Sequence, residues 1–117
     1  MEEIVSVSGH WVECLLFPGG KTGLFSISAA KLCAINCLSA VKSVIGNLDK
    51  IKRVLKLTVF IASAEGFTAQ PKVANGASEL IGEIFGDAGK HVRSAVGVSE
   101  LPLNSAVEIE MIVEIKS

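Results

Sequence analysis

The sequence contains no tyrosine, one tryptophan, two histidines and three cysteines among 117 residues. It also lacks a charge surplus, with 11 Lys and Arg against 12 Asp and Glu for a net charge of −1. A groove that tracks nucleic acid needs a basic face interleaved with aromatic rings, and this composition supplies neither. The one basic cluster, "KIKRVLK" at 50–56, reads as the solvated start of a strand. Uncharged runs at 22–30, 32–41 and 57–64 stop well short of the roughly 18 residues expected of a membrane span. The first residues, "MEEIVSVSGH", are acidic where a secretory signal is basic. That start and the odd cysteine count predict reduced thiols and a cytoplasmic setting.

Metal chemistry has little to build on. Cys33 and Cys37 share a helix face, where small buried apolar residues are the expected reading, and Cys14 stands apart. Neither His10 nor His91 pairs with a cysteine at metal-ligand spacing, so no metal is expected. Gly20, Lys21 and Thr22 match the end of a phosphate-binding loop, but the glycine required five residues before Gly20 is Leu15, so a turn is expected there.

What the chain does have is apolar residues: half of it is hydrophobic and the mean hydropathy is +0.52. With no membrane span expected, that surplus points to surface covered by copies of the same chain. The length suits one domain, residues 1–117, with one core. Periodicity predicts strands at 3–9 and 12–17, a helix at 26–45, a strand at 53–63, a helix at 73–85, and strands at 92–98 and 107–115. The first helix carries the stripe Ile27, Ala30, Ala34, Leu38, Val41, Ile45; the second carries Val73, Ala77, Leu80, Ile81, Ile84. The order β-β-α-β-α-β-β fits an α+β mixed sheet with both helices on one face.

The last two strands carry the chemistry. Val107, Ile109, Met111, Val113 and Ile115 alternate with Glu108, Glu110 and Glu114, so the odd positions face the helices. The strand before it places Arg93, Ala95 and Gly97 on one side. If copies of the chain cover the face away from the helices, Arg93 and a glutamate meet in a partly buried seam, where charges must be paired or hold a ligand. An arginine grips a carboxylate through two parallel hydrogen bonds, and a glutamate can orient a water. No pair of nucleophile and base is expected from His10 or His91.

The segment "RSAVGVSELPLNSAVEIE" at 93–110 resembles the signature of the RidA (YjgF) family of reactive-intermediate deaminases. "VSVSGH" is similar to the family's strand ending in Ser-Gly-Gln or Ser-Gly-His, and "AAKLCAINCLSAVKSVIGNLDKIKRVLKLTVFIAS" to its first helix and following strand. "GFTAQPKVANGASELIGEIFGDAGKHVRSAVGV" is similar to a branch with a longer loop before the second helix. The resemblance implies a chorismate-mutase-like α+β fold, a homotrimer around a central β-barrel, and sites in clefts between subunits. It implies hydrolysis of enamines and imines such as 2-aminoacrylate or 2-iminobutanoate to 2-keto acids and ammonia, with no cofactor. By the same resemblance Arg93 holds the substrate carboxylate, Glu108 positions the attacking water, and Gly9, His10, Asn75 and Ala95 line the pocket. The sequence departs from the family in having Ala95 where the best-known deaminases have cysteine and in having no tyrosine; it is expected to start at about the family's second strand, as a shortened form or with "VECLLF" replacing some of the first. These departures keep a second reading open: a trimer whose clefts bind small keto acids without turnover. A nucleic-acid partner or a membrane is not expected.

Overall fold

The structure, a computed structural model, describes residues 3–10 and 24–116. Four strands, β1 (Glu3–His10), β2 (Ile51–Ala62), β3 (Val92–Val98) and β4 (Val107–Ile115), form one mixed sheet in the order β1-β4-β2-β3. Two helices, α1 (Leu24–Ile45) and α2 (Gln70–Phe85), cover one face of it. This is the α+β architecture expected from the sequence. The strand expected at 12–17 lies outside the described residues.

The alternation in β4 does what its chemistry dictates. Val107, Ile109, Met111, Val113 and Ile115 are buried against the helices, while Glu110 is exposed and Glu108 and Glu114 are half-buried on the other face. Strand β2 breaks its alternation near its start, where the pairing with β4 shifts between Ile51 and Arg53 and again between Val54 and Lys56. These irregularities put both Val54 and Leu57 in the core and leave Lys52, Arg53 and Lys56 in solvent. The basic cluster is thus the solvated flank of a buried strand, and Arg53 Nε donates to Glu114 Oε1 at 2.9 Å.

Helix α1 packs through small residues. Ala29, Ala30, Cys33, Ala34 and Cys37 are fully buried, with Leu38 and Val41 beside them. The approach to the sheet is close enough that Cys33 Sγ lies 3.3 Å from the Val107 carbonyl oxygen and Cys37 Sγ 3.5 Å from that of Ile109. In length and composition the stretch Ile27–Ile45 would cross a membrane, which counting uncharged runs does not reveal. The small-residue face that lies against the sheet makes it a core helix here. At Gly76 in α2 a Cβ would sit 2.3 Å from the Ile27 carbonyl oxygen, so glycine sets the distance between the helices.

Two expectations need correction, and the strand order adds a third finding. Helix α2 starts at Gln70, not at residue 73, because Pro71 occupies its first turn, where no amide hydrogen is required. Ile84 is half exposed rather than inside; Val73, Ala74, Gly76, Ala77 and Ile81 form the buried face. Strands β3 and β4 follow one another in sequence but are not neighbours. β2 lies between them, parallel to β3 and antiparallel to β4.

Candidate functional site

The position of Arg93 follows from the pairing of β3. Leu57, Val59 and Ile61 of β2 are fully buried under the helices, and their partners in β3 are Arg93, Ala95 and Gly97. Arg93 therefore lies on the helix side of the sheet, not on the glutamate face, and it is half-buried because β3 is the edge. Its Nη1 donates to Asn75 Oδ1 at 2.8 Å and to Ser78 Oγ at 3.2 Å, both on α2. Ser78 Oγ is in turn 3.0 Å from His91 Nε2, and His91 Nδ1 is 2.6 Å from the Gly89 carbonyl oxygen. Arg93, Asn75 and Ala95 thus share one corner, where α2 crosses the edge strand.

The backbone of β3 adds to that corner. The Val98 carbonyl accepts from the Ser63 amide at 2.8 Å, so the even residues of β3 direct their peptide groups toward β2. By strand alternation, Arg93, Ala95 and Gly97 direct theirs to the free edge. Among the described residues no strand pairs with that edge. Gly97 is closely surrounded: a Cβ there would meet Gln70 Nε2 at 2.6 Å and Ser63 Oγ at 2.9 Å, so these two side chains would have to move to admit one.

The remaining site residues gather elsewhere. Glu108 is the second residue of β4, and its register partners are His10 in β1 and Phe60 in β2; Gly9 pairs with Ile109. Gly9, His10 and Glu108 are therefore backbone neighbours. Glu108 is half-buried on the face away from the helices, where Thr58, Phe60, Ser94 and Val96 also lie by register. Val92 and Val96 are 67% and 42% exposed on that face, too apolar for a surface meant only for water.

Within one chain the two groups do not meet. Glu108 is two strands from β3, and Val96, the β3 residue level with it through Phe60, is three residues from Arg93. Strand spacing and rise place the two Cα atoms about 14 Å apart, with the side chains on opposite faces of the sheet. The seam in which a single face holds both does not exist on one protomer. Of the candidate residues, Arg93, Asn75 and Ala95 form one group and Gly9, His10 and Glu108 another.

Sequence reasoning missed Ser78 and His91. It expected no hydroxyl paired with a histidine, yet Ser78 and His91 are within hydrogen-bonding distance. The signal available was the spacing of Asn75 and Ser78, one helical turn apart, opposite His91 and Arg93, which alternate on one side at the entry to β3. Among the described residues no three His, Cys, Asp or Glu side chains are grouped to hold a metal ion.

Comparison with known proteins places the chain. Residues 16–115 match the family model described as "YjgF/chorismate_mutase-like, putative endoribonuclease". Protein TCP17 of Trypanosoma cruzi is 47% identical over 91 residues, which are 77% of this chain; the chain spans 57% of the length of that curated relative. Among solved structures, Atu1372 from Agrobacterium tumefaciens, described as of unknown function, is 42% identical with a TM-score of 0.87, covering 97% of this chain and 76% of that one. At the level of fold alone, E. coli TdcF with bound serine is 23% identical with a TM-score of 0.62, covering 97% of this chain and 81% of that one. The chain belongs to the YjgF/chorismate mutase-like family, and its sheet and paired helices are that family's fold.

Proposed function

We propose that the chain hydrolyses small, carboxylate-bearing enamines and imines of the 2-aminoacrylate and 2-iminobutanoate type to 2-keto acids and ammonia. In this reading it works as a homotrimer in the cytoplasm, with sites in the clefts between neighbours. The observation that carries the reading is the division of the site residues into two half-sites that no single chain can join. Arg93, with Asn75 and the outward amide of Ala95, is built to hold a carboxylate. Glu108, beside the backbone of Gly9 and His10, is built to hold a water. A neighbouring copy that covers the free edge of β3 can bring its Glu108 half-site to the Arg93 half-site of the first.

The chemistry then needs few groups. Arg93 clamps the carboxylate and fixes the imine carbon, which is chiefly a gain from positioning. Glu108 accepts a proton from water as the oxygen adds to that carbon. The carbinolamine formed carries one hydroxyl and one amine on the same carbon. The proton held on Glu108 passes to the nitrogen, and loss of ammonia leaves the keto acid; an enamine enters the same route after a proton shifts from its nitrogen to its β-carbon, so water is consumed, ammonia leaves and no redox partner is required. Ala95 has no thiol to contribute, so only the backbone at that position takes part.

The family description names ribonuclease activity, but a net charge of −1 supplies little of the electrostatic attraction that RNA binding draws on. Keto-acid binding without turnover is the nearer rival, because it would use the same Arg93 half-site. Ammonia release from freshly generated 2-aminoacrylate, compared with the uncatalysed decay, tests the reading. A trimer that binds pyruvate yet leaves that rate unchanged would establish the rival instead.

A further inference from the structure

We propose that Ser78 and His91 are positioning residues for Arg93. Through them α2 locks one end of the guanidinium and leaves the Nε/Nη2 edge as the one that grips a planar carboxylate. The proposal starts from the direction of each hydrogen bond. A carbonyl oxygen can only accept, so the 2.6 Å contact between His91 Nδ1 and the Gly89 oxygen places a hydrogen on Nδ1. In the neutral ring Nε2 is then an acceptor, and the Ser78 hydroxyl donates to it across 3.0 Å. With its hydrogen committed to His91, Ser78 Oγ presents lone pairs to its other neighbour, Arg93 Nη1 at 3.2 Å. Asn75 Oδ1 at 2.8 Å takes a hydrogen from the same nitrogen. Nη1 has two hydrogens, and both are now used.

The far end of the chain is anchored by packing. Gly89 is buried, and a Cβ there would meet the Ile81 carbonyl oxygen of α2 at 2.5 Å. The carbonyl that sets the tautomer of His91 therefore belongs to a segment pressed against the helix that carries Ser78 and Asn75. Among the described residues, Arg93 Nε and Nη2 have no hydrogen-bond partner. That side of the guanidinium offers two parallel N–H groups, the geometry a carboxylate matches. A guanidinium free to rotate would lose part of its binding energy in being ordered; this one is held before the ligand arrives. Ser78 therefore serves Arg93 here: its hydrogen goes to His91 and its oxygen accepts from the guanidinium.

The full chain in solution tests this by nitrogen-15 NMR in mildly alkaline buffer, together with pyruvate titration. His91 is expected as the Nδ1–H tautomer, and the Arg93 guanidinium is expected to show separate, slowly exchanging Nη signals. Ser78→Ala and His91→Leu should merge those signals and weaken pyruvate binding about tenfold, the scale of a hydrogen bond to a charged group. His91→Gln, which can still accept from Ser78, should recover much of both. An Nε2–H tautomer at His91, or an Arg93 whose rotation is the same in Ser78→Ala as in the parent, would overturn the proposal. The pyruvate arm rests on the carboxylate reading above and the NMR arm does not. A parent protein that ignores pyruvate sinks the carboxylate reading, while the tautomer and the rotation still decide the positioning.

Discussion

The division of the site makes a prediction that one chain alone cannot satisfy. Arg93→Ala should abolish the clamp, because removing one partner of a desolvated charge pair typically costs about 2–5 kcal/mol. Glu108→Gln should keep binding and lose turnover by roughly 10²–10⁴-fold, the range for a general base. Each variant alone is therefore nearly inactive. If the variants are unfolded together in equal amounts and refolded into mixed assemblies, activity should return. A working cleft needs its arginine from a Glu108→Gln chain and its glutamate from an Arg93→Ala chain. In a closed ring of head-to-tail contacts, random mixing gives that combination at about one cleft in four. The mixture should reach about a quarter of parental ammonia release from 2-aminoacrylate. The 14 Å separation on opposite faces gives no route to an intrachain site, so mixed activity no higher than that of the separate variants would refute the reasoning. Glu110→Gln is the control: it pairs with Ser8 and Thr58 rather than with the Gly9–His10 end of β1, and should lose little by itself.

Arg93→Lys should lose pyruvate binding almost as fully as Arg93→Ala, read by calorimetry, because an ammonium cannot reproduce the two-bond grip or satisfy Asn75 and Ser78 in the same way. Gly76→Ala should lower stability in urea by about 1–3 kcal/mol, since the new methyl meets the backbone oxygen of Ile27 rather than a side chain that could yield. Cys33→Ala with Cys37→Ala should cost roughly 1–3 kcal/mol each in the same assay and leave ammonia release intact, both thiols being buried under β4 and remote from Arg93. Leu103→Gly should raise the melting temperature: Leu103 is 68% exposed at φ 58°, so relief of about 1–2 kcal/mol of left-handed strain exceeds the roughly 0.5–1 kcal/mol that glycine costs through its unfolded-state freedom.

Periodicity was a sound guide wherever a single face decides burial. The odd residues of β4 and the stripe of α1 could be read directly, because a shift of one residue in β4 would expose Ile109 and Met111 and bury Glu110. Periodicity showed equally that Arg93, Ala95 and Gly97 share a side. It could not show which side, because parity within β3 becomes a face of the sheet only through pairing with Leu57, Val59 and Ile61. Pairing β3 with β2 and separating it from β4 is a long-range choice, and the loop through Pro102 between β3 and β4 reads locally like an ordinary hairpin connection. The link from Ser78 to His91 was hidden for the same reason. Thirteen residues separate them, and their contact is set by where α2 crosses the sheet rather than by any local motif. Asn75 beside Arg93 came from family resemblance, which carries such long-range information implicitly.

The edge position of β3 connects these findings. A seven-residue strand with outward-facing amides at Ala95 and Gly97 and exposed Val92 and Val96 is an incomplete surface. An uncovered strand edge invites pairing with another chain, and folds guard against it with charge or cover. Here the only charged side chain on β3 is Arg93, and its Nη1 is turned into α2, where Asn75 and Ser78 hold it. It therefore does little to guard the edge. Small residues follow it: Ala95 leaves the backbone accessible and Gly97 is confined by Gln70 and Ser63. Such an arrangement is poor protection for a monomer and good preparation for a cleft. In the trimer proposed above, the copy that covers the edge also supplies Glu108. Assembly and completion of the site are then one event, and dilution that dissociates the trimer should remove hydrolysis while leaving the Arg93–Asn75–Ser78–His91 chain in place.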